Sequence, residues 1–176
     1  MQDINIIANK IKRAGGNLYL VGGAVRDEIM GNATHDEDYC VTGINVKDFQ
    51  EIFPEAHIRG KSFAVFDIEG KEFALARIES KQGIGHKEFE ITINPEITIE
   101  QDLARRDITI NAIAKEVLTQ KLIDPFNGRD DIKIRIIRAT TEPFKEDPLR
   151  VYRVARFAAQ LGFEVEEKTI NQMNEL

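Results

Sequence analysis

The chain has one cysteine, Cys40, and three histidines, His35, His57 and His86. A lone thiol excludes an internal disulfide framework, and so few thiols and imidazoles argue against a structural zinc site. No uninterrupted apolar run approaches the roughly 18 residues of a membrane span, so no membrane partner is expected. Met1-Gln2-Asp3-Ile4 opens without the basic and apolar regions of a signal peptide, which makes the cytoplasm the expected compartment. Internal repeats and low-complexity segments are absent too. Positive charge is not in excess: 24 Lys and Arg stand against 30 Asp and Glu, a net charge of -6. That argues against a domain that coats nucleic acid indiscriminately, where a basic surface is expected, and leaves room for nucleic acid on a local basic face.

What is present describes one globular unit. With 176 residues, 42% hydrophobic and 31% charged, the chain can bury a core without disulfide or metal staples and leaves room for a small appendage. The charge is uneven. From Arg129 to Arg156 eight basic residues face five acidic ones, so that stretch is +3 within an acidic whole.

Local signals order the elements. Asp3 is placed to cap a helix with Ile4, Ile7, Ala8 and Ile11 on one side, stopped by Gly15-Gly16. Asn17–Val21 reads as a buried strand, followed by Gly22-Gly23 and a short helix to Gly31. Asp36–Thr42 reads as a second strand and Val46–Phe53 as an amphipathic helix. Ser62–Ile68 and Glu72–Ile78 alternate about Glu69-Gly70-Lys71, a hairpin pattern. Lys81–Pro95, containing Gly83-Ile84-Gly85, looks the least regular. Thr98 and Gln101 form a capping-box pair opening a helix through Arg105. A further helix is expected over Ile108–Glu116, an interrupted strand over Val117–Ile123 and another strand over Arg135–Ala139. Asp147-Pro148 is a helix start, and Phe163–Leu176 looks like the beginning of more helix.

Five groups of residues carry chemistry. Gly22-Gly23-Ala24-Val25-Arg26-Asp27 lies between strand and helix, where glycines let a ligand approach the backbone. It is neither a Walker A loop nor a dinucleotide fingerprint, and a plain tight turn would look the same. Asp36-Glu37-Asp38 puts two carboxylates on one strand face and Glu37 on the other. Such a pair repels itself unless a cation intervenes, and Mg²⁺ takes one or two carboxylates plus substrate phosphates; a solvated acidic loop is the plain alternative. Glu72 becomes a third acid only if its strand lies beside that of Asp36. Arg105-Arg106-Asp107-Ile108-Thr109-Ile110-Asn111 sets two arginines ahead of an aspartate expected to cap the next helix. Glu146-Asp147-Pro148-Leu149-Arg150, continued by Arg153 and Arg156, is an N-cap with a basic stripe at three-residue spacing.

In this order the five groups resemble the class II tRNA nucleotidyltransferases, the CCA-adding enzymes, and the closely similar bacterial poly(A) polymerases. The resemblance runs from about Leu18 to Phe163. Asp124-Pro125-Phe126-Asn127-Gly128 and Lys81-Gln82-Gly83-Ile84-Gly85-His86 are similar to the family's linker and flexible loop. It implies an α+β fold: a polymerase β-type nucleotidyltransferase head with a small mixed sheet and flanking helices (1–139), then the start of an all-helical neck (140–176). It implies that Asp36 and Asp38 hold two Mg²⁺ ions, with Glu72 the weaker candidate for a third acid. Gly22 and Gly23, with Arg26 nearby, would face the triphosphate. Arg105, Arg106, Asp107 and Asn111 would hold triphosphate and sugar. Asp147 and Arg150 would read the incoming base, with Arg153 and Arg156 beside them. The implied reaction adds C and A to tRNA 3′ ends from CTP and ATP and releases pyrophosphate. Family members continue into body and tail regions that grip tRNA, and these are missing from this chain. A poly(A) polymerase, an A-adding enzyme and a non-catalytic nucleotide- or RNA-binding module remain open alternatives. The presence of both metal carboxylates favours an enzyme, and the Lys81–Pro95 loop speaks against one that adds only C.

Overall fold

The computed structural model describes residues 3–34, 36–59, 64–81, 89–141, 144 and 147–176. The chain opens with α1 (Ile4–Arg13), whose first turn is capped by the Asp3 carboxylate accepting from the Asn5 N–H at 2.9 Å. There follow β1 (Asn17–Val21), α2 (Gly23–Ile29), β2 (Asp38–Thr42), α3 (Val46–Ile52), β3 (His57–Arg59), β4 (Val65–Ile68) and β5 (Lys71–Leu75). A separate ribbon is made by β6 (Arg77–Lys81) and β7 (Phe89–Ile93). Then come α4 (Ile99–Ala104), a 3-10 turn (Thr109–Asn111), β8 (Ala114–Glu116), β9 (Leu122–Ile123), α5 (Gly128–Ile134) and β10 (Ile136–Ile137). The last elements are α6 (Leu149–Leu161), β11 (Glu164–Val165) and α7 (Glu167–Asn174).

Seven strands form one mixed sheet in the order β3-β4-β5-β2-β1-β8-β9. Only β2 and β5 pair in parallel; the other neighbours are antiparallel. Because side chains alternate along a strand, the sheet has two distinct faces. Leu18, Leu20, Tyr39, Val41, Phe73 and Leu75 point to the main core, where α1, α2, α3 and α5 bring Ile7, Ile11, Val25, Phe49 and Ile132. Phe49 stacks on Phe66 with ring centroids 4.4 Å apart. The other face presents Val21, Cys40 and Ala114 to Ile99 and Leu103 of α4. Asp38, Glu72, Arg105 and Arg106 lie on this second, thinner side.

Several expected elements differ. The second strand begins at Asp38 rather than Asp36. The hairpin turns on Glu69 and Gly70, both at positive φ as a two-residue connection requires. Its second strand ends at Leu75; the Ala76 N–H still bonds to the Val41 carbonyl, and the chain then leaves the sheet for β6. Part of the stretch expected to be irregular is the strand β7, while Gly83-Ile84-Gly85-His86 and Ser62-Phe63 lie outside the described residues. Ile108–Glu116 is not a helix: after the 3-10 turn, Ala114–Glu116 pairs with β1, Val21 opposite Ala114. Ile108, Ile110, Ala112, Ile113 and Ala114 are all fully buried, so their apolar pattern has no exposed side from which to read a period. Val117–Ile123 is instead the turn and second strand of the β8–β9 hairpin. The Arg135–Ala139 strand shortens to β10. Helix α5 was not expected; the Asp124 carboxylate accepts from the Gly128 and Arg129 N–H groups at 2.8 and 2.9 Å to start it. The chain's end is not wholly helical, since β11 pairs in parallel with β10, Ile136 opposite Glu164.

Candidate active site

The ends of three adjacent strands define the site. Val21, the last residue of β1, pairs with Asp38, the first of β2; Asp38 in turn pairs with Glu72 of β5. Gly22, at φ +72, turns the chain from Val21 into α2. A Cβ on Gly22 would lie 3.0 Å from Nη1 of Arg106, so a side chain at this position would displace that guanidinium. The glycine turn, two carboxylates and an arginine thus meet at one end of the sheet.

Asp36 and Asp38 are exposed and make no side-chain hydrogen bond or ion pair among the described residues. Asp38 titrates above the ordinary carboxylate range: first because the cleft desolvates it although solvent reaches it, next because of the Glu72 charge, with Asp36 adding less and Arg106 opposing. Glu72, expected to be the weaker third acid, is therefore the register neighbour of Asp38, while Asp36 precedes the strand. Glu72 also accepts from Arg59 Nη1 at 3.2 Å, and Arg59 reaches Asp67 at 2.9 Å. Glu37 also lines the cleft but is already bonded there, by the Tyr39 hydroxyl and by Lys71. An open cleft of about 630 Å³ is lined by Thr34, Asp36, Asp38, Arg59, Lys71 and Glu72.

This donor set suits Mg²⁺. Among the described residues, no three acidic, cysteine or histidine side chains converge into a complete cage. Two carboxylates without a cationic partner among the described residues, Asp36 and Asp38, beside a third on the next strand are what a Mg²⁺ ion completed by substrate phosphates would neutralise.

The arginines are held quite differently. Arg105 Nε and Nη2 donate to Asp102 Oδ1 at 3.0 and 2.8 Å, and its Nη1 donates to Glu79 at 3.1 Å. Arg106 Nη2 donates to the other Asp102 oxygen at 3.3 Å. Asp107 does not cap a helix; Ile108 precedes only the 3-10 turn. Its carboxylate accepts from the Ile108 N–H at 3.0 Å and from Arg153 Nε at 2.6 Å. Arg26, only 5% exposed, donates to Asn111 Oδ1 at 2.7 Å and to Asp27, and lies 5.4 Å from the Phe157 ring centre. Arg26 and Asn111 therefore bolt α2 to the 3-10 turn and to α6 instead of lining the cleft. Gly23 lies in the first turn of α2, beneath the Arg26 guanidinium.

Helix α6 brings the last group. Asp147 Oδ1 accepts from the Leu149 N–H at 2.9 Å, the cap expected of it. Arg150, 8% exposed, donates from Nη2 to the Arg105 carbonyl at 2.7 Å. Arg153 and Arg156 lie 5.8 and 4.8 Å from the Phe157 ring centre. Glu146 lies outside the described residues. Asp102, Arg59 and Phe157 were missed from sequence. For Asp102 a signal existed: it precedes Arg105 and Arg106 by three and four residues, the spacing of helical ion pairs.

Comparison with known proteins gives a consistent set. The model of the poly A polymerase head domain matches residues 18–138. The Multifunctional CCA protein of Nitrosospira multiformis is 45% identical over 161 residues, covering 90% of this chain and 38% of its own length. The crystal structure of the Bacillus stearothermophilus CCA-adding enzyme in complex with CTP superposes with a TM-score of 0.79 at 34% identity, covering 97% of this chain and 42% of that one. A tRNA nucleotidyltransferase complexed with a primer tRNA and an incoming ATP analog gives 0.74 at 31% identity, covering 96% and 49%. The chain spans about two fifths of the length of the curated relatives it matches. Among the described residues, no helix is long and apolar enough to cross a membrane.

Proposed function

The chain belongs to the poly A polymerase head-domain family and has the nucleotidyltransferase head fold of the CCA-adding enzymes; from that premise we propose that it is the catalytic head of a CCA-adding tRNA nucleotidyltransferase. Its substrates are CTP, ATP and a tRNA 3′ end, its product besides the extended RNA is pyrophosphate, and its compartment is the cytoplasm. The observation that carries this reading is the junction of Asp38, Glu72 and the Gly22 turn at adjacent strand ends, with Arg106 over the turn. We divide the chain into a head (1–139) and the start of a neck (140–176).

Asp36 and Asp38 would hold two Mg²⁺ ions, with Glu72 beside them. When bound, such ions lower the cost of charge on an attacking 3′-hydroxyl and on leaving pyrophosphate. Gly22 leaves space for the Arg106 guanidinium to lie against the turn, where it offers the triphosphate a positive charge. Asp147 and Arg150 select the base by hydrogen-bond polarity. Cytosine and adenine each present an amino donor beside a ring-nitrogen acceptor, which suits a carboxylate beside a guanidinium. Guanine and uracil reverse that order. A carboxylate has two oxygens, so capping α6 and reading a base are compatible roles for Asp147.

The test is extension of a tRNA lacking its CCA end with CTP alone, ATP alone and both, against an oligoadenylate primer. CCA addition requires C then A on the tRNA; long A tracts on oligoadenylate would instead make the chain a poly(A) polymerase head.

A further inference from the structure

We propose that Asp102 is the positioning residue of the triphosphate side: a buried carboxylate on α4 that aims the Arg106 guanidinium over the Gly22 turn. The inference rests on the reading of Arg106 given above. Asp102 is 0% exposed. Its Oδ1 is taken by Arg105 and, at 3.3 Å, by the Arg77 N–H, while Oδ2 takes Arg106 Nη2. Arg105 has a second carboxylate, Glu79. Arg106 has none: Asp102 is its one ion-pair partner among the described residues, and its buried Nε has no hydrogen-bond partner there. The orientation of Arg106 therefore hangs on a single oxygen. That orientation matters, because Nη1 of the same guanidinium fills the space a Gly22 side chain would need. Asp102 itself lies too deep to touch a nucleotide, so it acts only through the arginine.

The test is equilibrium titration of the 176-residue chain with CTP and with inorganic tripolyphosphate in Mg²⁺, no primer present, alongside thermal melting. Asp102→Asn is expected to weaken both ligands by the same factor, about tenfold, as the loss of one charge-assisted hydrogen bond implies. In an Arg106→Met background it should weaken neither further, although it lowers the melting temperature in both backgrounds. Unchanged affinity in folded Asp102→Asn would overturn the proposal. So would an equal loss in the Arg106→Met background, which would mark Asp102 as structural. Should Asp102→Asn not fold, Asp102→Glu keeps the charge, and a hollow of about 170 Å³ lined by Asp38, Cys40, Glu72, Asp102, Arg105 and Arg106 has room for the added methylene. That variant is expected to bind tripolyphosphate more weakly with little change in melting; undiminished binding overturns the proposal. Wild-type chain that binds neither ligand would fail the active-site reading itself, and this inference with it; wild-type binding with indifferent Asp102 variants fails only this inference.

Discussion

The acidic and basic sides of the cleft lie on neighbouring elements yet are built on opposite principles. Asp36 and Asp38 have no partner among the described residues, and Glu72 has only the exposed Arg59. Arg105, Arg106 and Arg153 are each tied to a buried carboxylate, Asp102 or Asp107. Uncompensated acids at a solvent-open cleft store repulsion that a cation relieves. Paired arginines keep their charge and lose their freedom, so less orientational entropy remains to be lost when an anion arrives. One side awaits its counter-charge; the other is already organised.

The largest effect tests the uncompensated side. Asp38→Ala should cut nucleotide incorporation by more than about 1000-fold, several kcal/mol of charge stabilisation lost, and leave the melting temperature equal or slightly higher. Glu72→Ala should be milder. Near wild-type primer extension by Asp38→Ala in Mg²⁺ would end the assignment of that carboxylate to the metals.

Base choice comes next. Asp147→Asn keeps most of the cap, because asparagine caps well, yet it reverses one hydrogen-bond polarity. Discrimination of C and A from G and U should fall by about 1–3 kcal/mol, the worth of a matched bidentate contact, and Arg150→Ala should act likewise. Misincorporation of all four nucleotides at wild-type ratios in both variants would leave the pair as purely structural.

The paired side predicts a pH response. Burial alone would raise the Asp102 carboxyl, but Arg105 and Arg106, with the hydrogen bonds of Arg105 and the Arg77 N–H, hold it below the ordinary carboxylate value. Glu79, Cys40, Asp38 and Glu72 are the other titratable groups facing this cluster. A carboxyl depressed in the folded state contributes stability above its unfolded value, about pH 4, and loses that contribution as pH falls through the folded value. The wild type should therefore lose stability below about pH 4 more steeply than Asp102→Asn. Parallel acid-unfolding curves would contradict this.

The smallest signal is RNA affinity. With several arginines engaged internally and a net charge of -6, the chain offers phosphates a local basic stretch and not a basic surface, and phosphate contacts dominate nucleic-acid binding. Filter binding should give weak tRNA affinity that fades steeply with salt; tight binding at physiological salt would show that the paired arginines also serve RNA.

Short-range signals were legible because their physics is short-range. The Asp3 and Asp147 caps, the Thr98–Gln101 capping box and the Glu69-Gly70 turn each depend on a few neighbouring residues, and all are found. The Asp-x-Asp pair and the glycine turn were visible as chemistry before any fold was known. The parallel pairing of β2 with β5, which makes Glu72 a neighbour of Asp38, depends on chain segments that are distant in sequence. Ile108–Glu116 hides its structure from the sequence because a segment buried on nearly every side carries no amphipathic period. Which arginine reaches the Gly22 turn and which are spent on internal contacts was likewise a tertiary decision. Identical guanidiniums at positions 26, 105 and 106 are separated only by whether Asn111, Glu79 or the bare turn at Gly22 lies within reach.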